Sequence, residues 1–163
     1  MQDSNPIQVT TSIVTVERIK PEDHTCVLAL QPHSHQLSYV ASNAASLEEA
    51  NENPACTSFV IRAHGEPVGF AMHALDEDDG NYWVYRLMID ARFQGMGYGR
   101  AALSRIIQKL AELPDCSCIV LGVKPENERA RRLYENAGFQ ITGDGLGEHM
   151  LAPRENASNW PDP

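Results

Sequence analysis

Arg92-Phe93-Gln94-Gly95-Met96-Gly97-Tyr98-Gly99-Arg100 sets three glycines at alternate positions between an apolar, aromatic run, Tyr82–Ile89, and an amphipathic run over 100–113. Glycine has no Cβ, so the backbone here can approach a ligand closely and take conformations closed to other residues. The following run has apolar residues at 101, 102, 103, 106, 107 and 110, one helical face, and Pro114 stops it. A helix start leaves N–H groups without intrahelical partners, and with the glycine amides they form a nest for an anion. Arg100 in the first helical turn opposes the helix dipole, and it makes better sense beside a phosphate. The stretch therefore predicts strand, phosphate-binding turn and helix.

Two other phosphate loops are excluded. A Walker A loop needs Gly-Lys-Ser/Thr, whereas Gly99 is followed by Arg100 and Ala101. A dinucleotide fingerprint opens a βαβ unit. This turn follows a meander instead: strands over 57–63 and 68–75 around the turn His64-Gly65-Glu66-Pro67, a polar loop over 76–81, then Tyr82–Ile89.

Further out, residues 13–19 alternate as a first strand, and Pro21, Glu22 and Asp23 open a helix that ends near Pro32. Ser46 with Glu49 three residues later reads as a capping box for a second helix. Downstream, 118–123 is a nearly continuous apolar strand, buried on both faces. Residues 125–137 read as a helix closed by Gly138, and 139–142 with 149–151 as a closing hairpin. The order predicts a mixed α/β (α+β) fold, neither doubly wound nor a barrel. The expected organisation is a flexible segment 1–12, one domain over 13–152 and a loose tail 153–163.

Composition narrows the function. With 163 residues, 42% hydrophobic and 21% charged, the chain suits one ordinary globular domain. Its 22 acidic against 13 basic residues give a net charge of −9, which repels nucleic acid. No apolar run reaches membrane-span length and no secretory signal opens the chain, so the expected location is cytoplasmic, without membrane partners. Cys116-Ser117-Cys118 lacks zinc-site spacing; reduced thiols packed under a sheet, and no metal, are expected.

Two motifs now stand in order. Gln94-x-x-Gly97-x-Gly99 resembles the pyrophosphate-binding motif of the GNAT N-acetyltransferase family, Q/R-x-x-G-x-G/A. Asn127-x-x-Ala130-x-x-Leu133-Tyr134-Glu135-x-x-Gly138-Phe139 resembles that family's second signature. Arg86-Leu87-Met88-Ile89-Asp90, Val40-Ala41-Ser42-Asn43 and Gly69-Phe70 are similar to the polyamine-acetylating branch, the bacterial spermine/spermidine (diamine) acetyltransferases.

The resemblance implies a mostly antiparallel sheet, flanked by helices and splayed after a bulge at its central parallel strands. It implies acetyl-CoA as cosubstrate in that gap. The pantetheine arm would pair with backbone groups of Leu87, Met88 and Ile89, one N–H polarising the thioester carbonyl. Gln94, Gly95, Met96, Gly97, Tyr98, Gly99 and Arg100 would hold the pyrophosphate, with Asn127 and Ala130 beside the arm; Asn127 reads equally as a plain N-cap. Tyr134 matches the family's general acid, giving a proton to the leaving thiolate. Where some relatives carry a basic Glu on the strand, this chain has Tyr85. That leaves His73, expected opposite Tyr85, or a water chain as the base. Tyr82, Trp83, Tyr85 and Glu148 are candidates for contact with a cationic amine. The implied activity is acetylation of a primary amine such as spermidine or spermine. Alternatives are a protein amine or aminoglycoside acceptor, and a non-catalytic CoA-binding sensor. Relatives of this family are commonly dimers, so a homodimer is possible.

Overall fold

The computed structural model of the chain describes residues 13–142 and 148–151. The segments 1–12, 143–147 and 152–163, including the expected flexible start and loose tail, lie outside the described residues. Strand β1 (Val14–Arg18) alternates as its sequence requires, with Val14 and Val16 buried. A 3₁₀ turn at Pro21–Asp23 feeds α1 (His24–Ala29), and a second at Ser34–Gln36 precedes α2 (Asn43–Glu52). The meander follows as β2 (Cys56–Ala63), β3 (Glu66–Leu75) and β4 (Tyr82–Ile89). Helix α3 (Tyr98–Ala111), β5 (Ile119–Gly122), α4 (Glu128–Asn136), β6 (Gln140–Thr142) and β7 (Glu148–Leu151) complete the order.

The strands form one sheet in the order β1-β2-β3-β4-β5-β7-β6. Every neighbouring pair is antiparallel except β4 with β5, which run parallel. The mixed, mostly antiparallel α/β architecture expected from the sequence is therefore present. Helix α3 covers one face with Ala102, Leu103, Ile106, Ile107 and Leu110, all buried. Each of its large side chains contributes about 1.5–3 kcal/mol by leaving water. Tyr134 of α4 joins that core. On the other face, Val27 of α1 and Leu47 and Ala50 of α2 pack on Val60, Phe70, Met72 and Met88.

Several boundaries differ from the sequence reading for local reasons. Helix α2 starts earlier, because Ser42, not Ser46, caps it by accepting from the Ala45 N–H at 3.1 Å. Ser46 is instead fully buried. Helix α4 starts later, at Glu128, where Asn127 Oδ1 accepts from the Ala130 N–H at 3.3 Å. Pro67 belongs to β3 rather than the turn, opposite Arg62 and next to a bulge in β3 at Val68 that accommodates the missing N–H.

Candidate active site

The sheet opens at its middle. β4 pairs with β5 only through Tyr82–Ile119, Trp83–Val120 and Val84–Leu121. At that point β4 bulges: Met72 faces Arg86 while His73 faces Val84, leaving Tyr85 without a partner on β3. Among the described residues, 85–89 continue with no strand on the β5 side. The gap is a cleft of about 350 Å³ between the end of β4, the glycine turn and α4.

Strand alternation decides which backbone groups face the gap. The Asp90 N–H donates to Val68 O at 2.8 Å, and the register makes Phe70–Met88 the next hydrogen-bonded pair. The Met88 backbone thus turns to β3, and the Leu87 and Ile89 backbones turn to the cleft. In agreement, the Ile89 carbonyl accepts from Gln94 Nε2 at 2.9 Å rather than from the sheet. Gly69 permits this close pairing: a Cβ there would overlap the Met88 carbonyl oxygen.

Gly95 (φ 81°) and Gly97 (φ 83°) both sit in the left-handed region, and Gly97 is the N-cap of α3. A Cβ at either would meet no protein atom within 4 Å. The need for glycine is conformational, with open space on the cleft side. Ala101 is the first residue of α3 whose N–H closes onto this turn, to Gly97 O at 3.1 Å. The amides of Tyr98, Gly99 and Arg100 are the helix's unsatisfied first-turn donors, aimed at the cleft mouth.

Gln94 behaves as a strut. Besides Ile89, its amide exchanges hydrogen bonds with Gln36 (2.8 and 3.1 Å), and its Oε1 accepts from Arg129 Nη1 at 3.2 Å. Lys124 Nζ donates to Ser38 O at 2.6 Å, joining the same loop to the segment before α4. Pro32, Gln36, Tyr39 and Val40 from that loop, and Arg129 and Leu133 from α4, line the cleft although the sequence reading did not single them out. Arg129 and Leu133 lie inside the second motif. The loop residues reach the site only through contacts some 58 positions away, which no local pattern announces.

Of the expected residues, Tyr85, Leu87, Met88, Ile89, Gln94, Gly95, Gly97, Tyr98, Gly99, Arg100, Asn127, Ala130 and Tyr134 line the cleft together. Tyr134 is buried, and burial pushes its phenol up to about 12, so it is a protonated donor at any ordinary pH. Met96 points outward, 60% exposed. Tyr82 is turned to the α3 face, its hydroxyl donating to Asp115 at 3.1 Å, away from the cleft. Trp83 lies within the paired stretch, opposite Val120 and outside the cleft lining, its Nε1 donating to Asp79 at 2.9 Å and its ring 6.3 Å from that of Tyr85. The backbone of Glu148 is in β7 opposite Gly122; its side chain lies outside the described residues.

His73 needs correction in position. The bulge pairs it with Val84, not Tyr85, and turns Tyr85 to the α1–α2 face, while His73 keeps the alternation of β3 and stays on the α3 face between the rings of Phe59 and Tyr82. Burial, with Arg18 nearby, lowers its pKa to about 4. It is not among the residues lining the cleft. The Tyr85 phenol is instead pushed up, first by burial and then by the Asp76 carboxylate, to which it hydrogen-bonds.

The sheet thus splits beside a glycine turn at the start of α3. Residues 20–139 match the acetyltransferase (GNAT) family, and the chain belongs to it as an N-acetyltransferase. It is 36% identical over 146 residues to a spermine/spermidine N(1)-acetyltransferase of Bacillus subtilis, covering 85% of this chain and 96% of that protein. In fold it resembles an aminoglycoside acetyltransferase solved with coenzyme A (TM-score 0.75, 20% identity, 89% of this chain, 98% of that one). It also resembles the Vibrio cholerae spermidine N-acetyltransferase solved with CoA and spermine (TM-score 0.67, 21% identity, 85% and 92%).

Proposed function

We propose that the chain acetylates a small polycationic amine of the spermidine or spermine type, with acetyl-CoA held in the β4–β5 cleft. Acetyl-CoA would supply the activated thioester. The residues present fit it: the first-turn amides of α3 and the open side of Gly95 and Gly97 suit a diphosphate, and the cleft-facing Leu87 and Ile89 backbone suits an amide-bearing arm. The Leu87 N–H polarises the acyl oxygen, a type of contact that contributes about 3 kcal/mol. Tyr134 holds the proton that the departing sulfur needs.

Two facts support a cationic acceptor. The match to the Bacillus subtilis spermine/spermidine N(1)-acetyltransferase covers 96% of that protein, and Tyr85, which lines the cleft, has the Asp76 carboxylate acting on its phenol. A cation there gains from both. An aliphatic ammonium has a pKa near 10.4, so its proton must leave before attack. That proton passes to water along the Tyr85 and Asp76 wall, since His73 lies on the other face of the sheet. The observation that carries the reading is the coincidence of the bulge, the end of β4–β5 pairing and the glycine turn in one cleft. Free-thiol release with spermidine, spermine, kanamycin and a lysine peptide tests it. Preference for the linear polyamines is expected. Preference for kanamycin would favour the aminoglycoside reading, and CoA binding without turnover on any amine would favour a sensor.

A further inference from the structure

The bulge in β4 is held from outside the sheet. The Tyr85 carbonyl, freed by the bulge, accepts from Arg86 Nη1 at 2.9 Å. The same guanidinium gives Nε to Ser46 Oγ at 3.0 Å and Nη2 to Glu49 Oε2 at 2.7 Å, both on α2. Ser46 is itself fixed, its hydroxyl donating to Ser42 O at 2.9 Å. Each guanidinium nitrogen therefore has a different acceptor, and the planar fork locks three groups in one geometry.

A classic bulge puts two consecutive side chains on one face. Here Tyr85 and Arg86 both face α2, because Arg86 shares its register position with Met72, which packs in the α1–α2 core. The next residue is Leu87, whose amide turns into the cleft. Rotation of the peptide between Tyr85 and Arg86 would tilt that amide, and the clamp to α2 resists it where β5 gives no support.

We propose that Arg86 is a positioning residue for acetyl transfer: by clamping the Tyr85 carbonyl to α2 it fixes the bulge and aims the Leu87 N–H at the acyl oxygen. The proposal rests on the reading that the Leu87 N–H faces the thioester. Arg86 is not among the residues lining the cleft. Its ion pair with Glu49, whose side chain is 41% exposed, adds little stability, so its signature lies in turnover.

Arg86→Ala should lower kcat about 100-fold, the scale of a slightly misplaced reacting group. CoA affinity and KM for acetyl-CoA should stay within about threefold, since binding energy common to ground and transition states is untouched. Millimolar methylguanidinium should restore part of kcat. Unchanged kcat, or kcat and CoA affinity falling by the same factor without rescue, would overturn the proposal. Should Arg86→Ala fail to fold, Glu49→Gln and Arg86→Lys decide by the same kcat-against-KM split: selective loss of kcat supports it, retention overturns it. Gly97→Val separates the two levels. If that change leaves CoA binding intact, the cleft reading itself fails; if it abolishes binding while Arg86 variants keep full kcat, only the positioning role fails.

Discussion

Gln94 and Gln36, 58 residues apart, exchange amide hydrogen bonds, Nε2 of Gln94 donating at 2.8 Å and Nε2 of Gln36 at 3.1 Å. Through them the first residue of the glycine motif ties the end of β4 to the loop before α2, while Arg129 brings in α4. The motif glutamine sets the glycine turn in place as much as it faces the cleft.

Gln36→Ala should therefore weaken CoA binding although Gln36 belongs to no motif. Loss of the reciprocal pair should destabilise the fold by about 1–2 kcal/mol, read in urea melts. Unchanged stability and CoA affinity would show that the pair holds nothing.

Tyr134→Phe should cut kcat by about 100-fold or more while leaving CoA affinity nearly intact. Because the phenol titrates only near about 12, the kcat–pH profile of the wild type should show no loss from this group below pH 10. An alkaline limb near pH 9 that vanishes in Tyr134→Phe would contradict the burial argument.

His73 gives a stability test with a definite sign. Its folded pKa of about 4 lies below the free value of 6.5. Between those values the unfolded chain binds a proton that the folded one refuses, so stability falls as pH drops. The window is pH 6.5 to 4, and the loss is on the order of 2 kcal/mol after allowing for solvent near a partly buried ring. His73→Leu should flatten the dependence. If urea melts of the variant keep the same acid slope, other groups carry it.

Much of the fold was legible because local chemistry decided it. Tyr82–Ile89 reads as a strand from its residue types, α3 from its apolar spacing, and the glycine nest from Gly95, Gly97 and Gly99. The cleft walls supplied by Tyr134 and Ala130 followed from the second motif, and Tyr85 from its place on the strand before the glycine turn. What was not legible depends on register and on distance. A single bulge at Tyr85 turned that residue to the face opposite His73, so the two expected neighbours are parted, and a one-residue slip leaves no mark in sequence. Tyr82 misses the cleft because it lies where β4 still pairs with β5, opposite Ile119, and the point at which that pairing ends leaves no local mark. Ser46 looked like a cap because Ser42 offers the same chemistry one turn earlier. The loop around Gln36 and Ser38 reaches the site through Gln94 and Lys124, contacts invisible to any window.

The most direct measurement is calorimetric titration of coenzyme A into the wild-type protein and into Gly97→Val. Gly97 has φ 83°, which a β-branched residue tolerates poorly, and the added side chain enters the open side of the nest. Saturable one-to-one binding by the wild type and no heat from a folded Gly97→Val is the expected result. Equal affinity in both proteins, or no binding in either, would contradict the assignment of this turn as the diphosphate site.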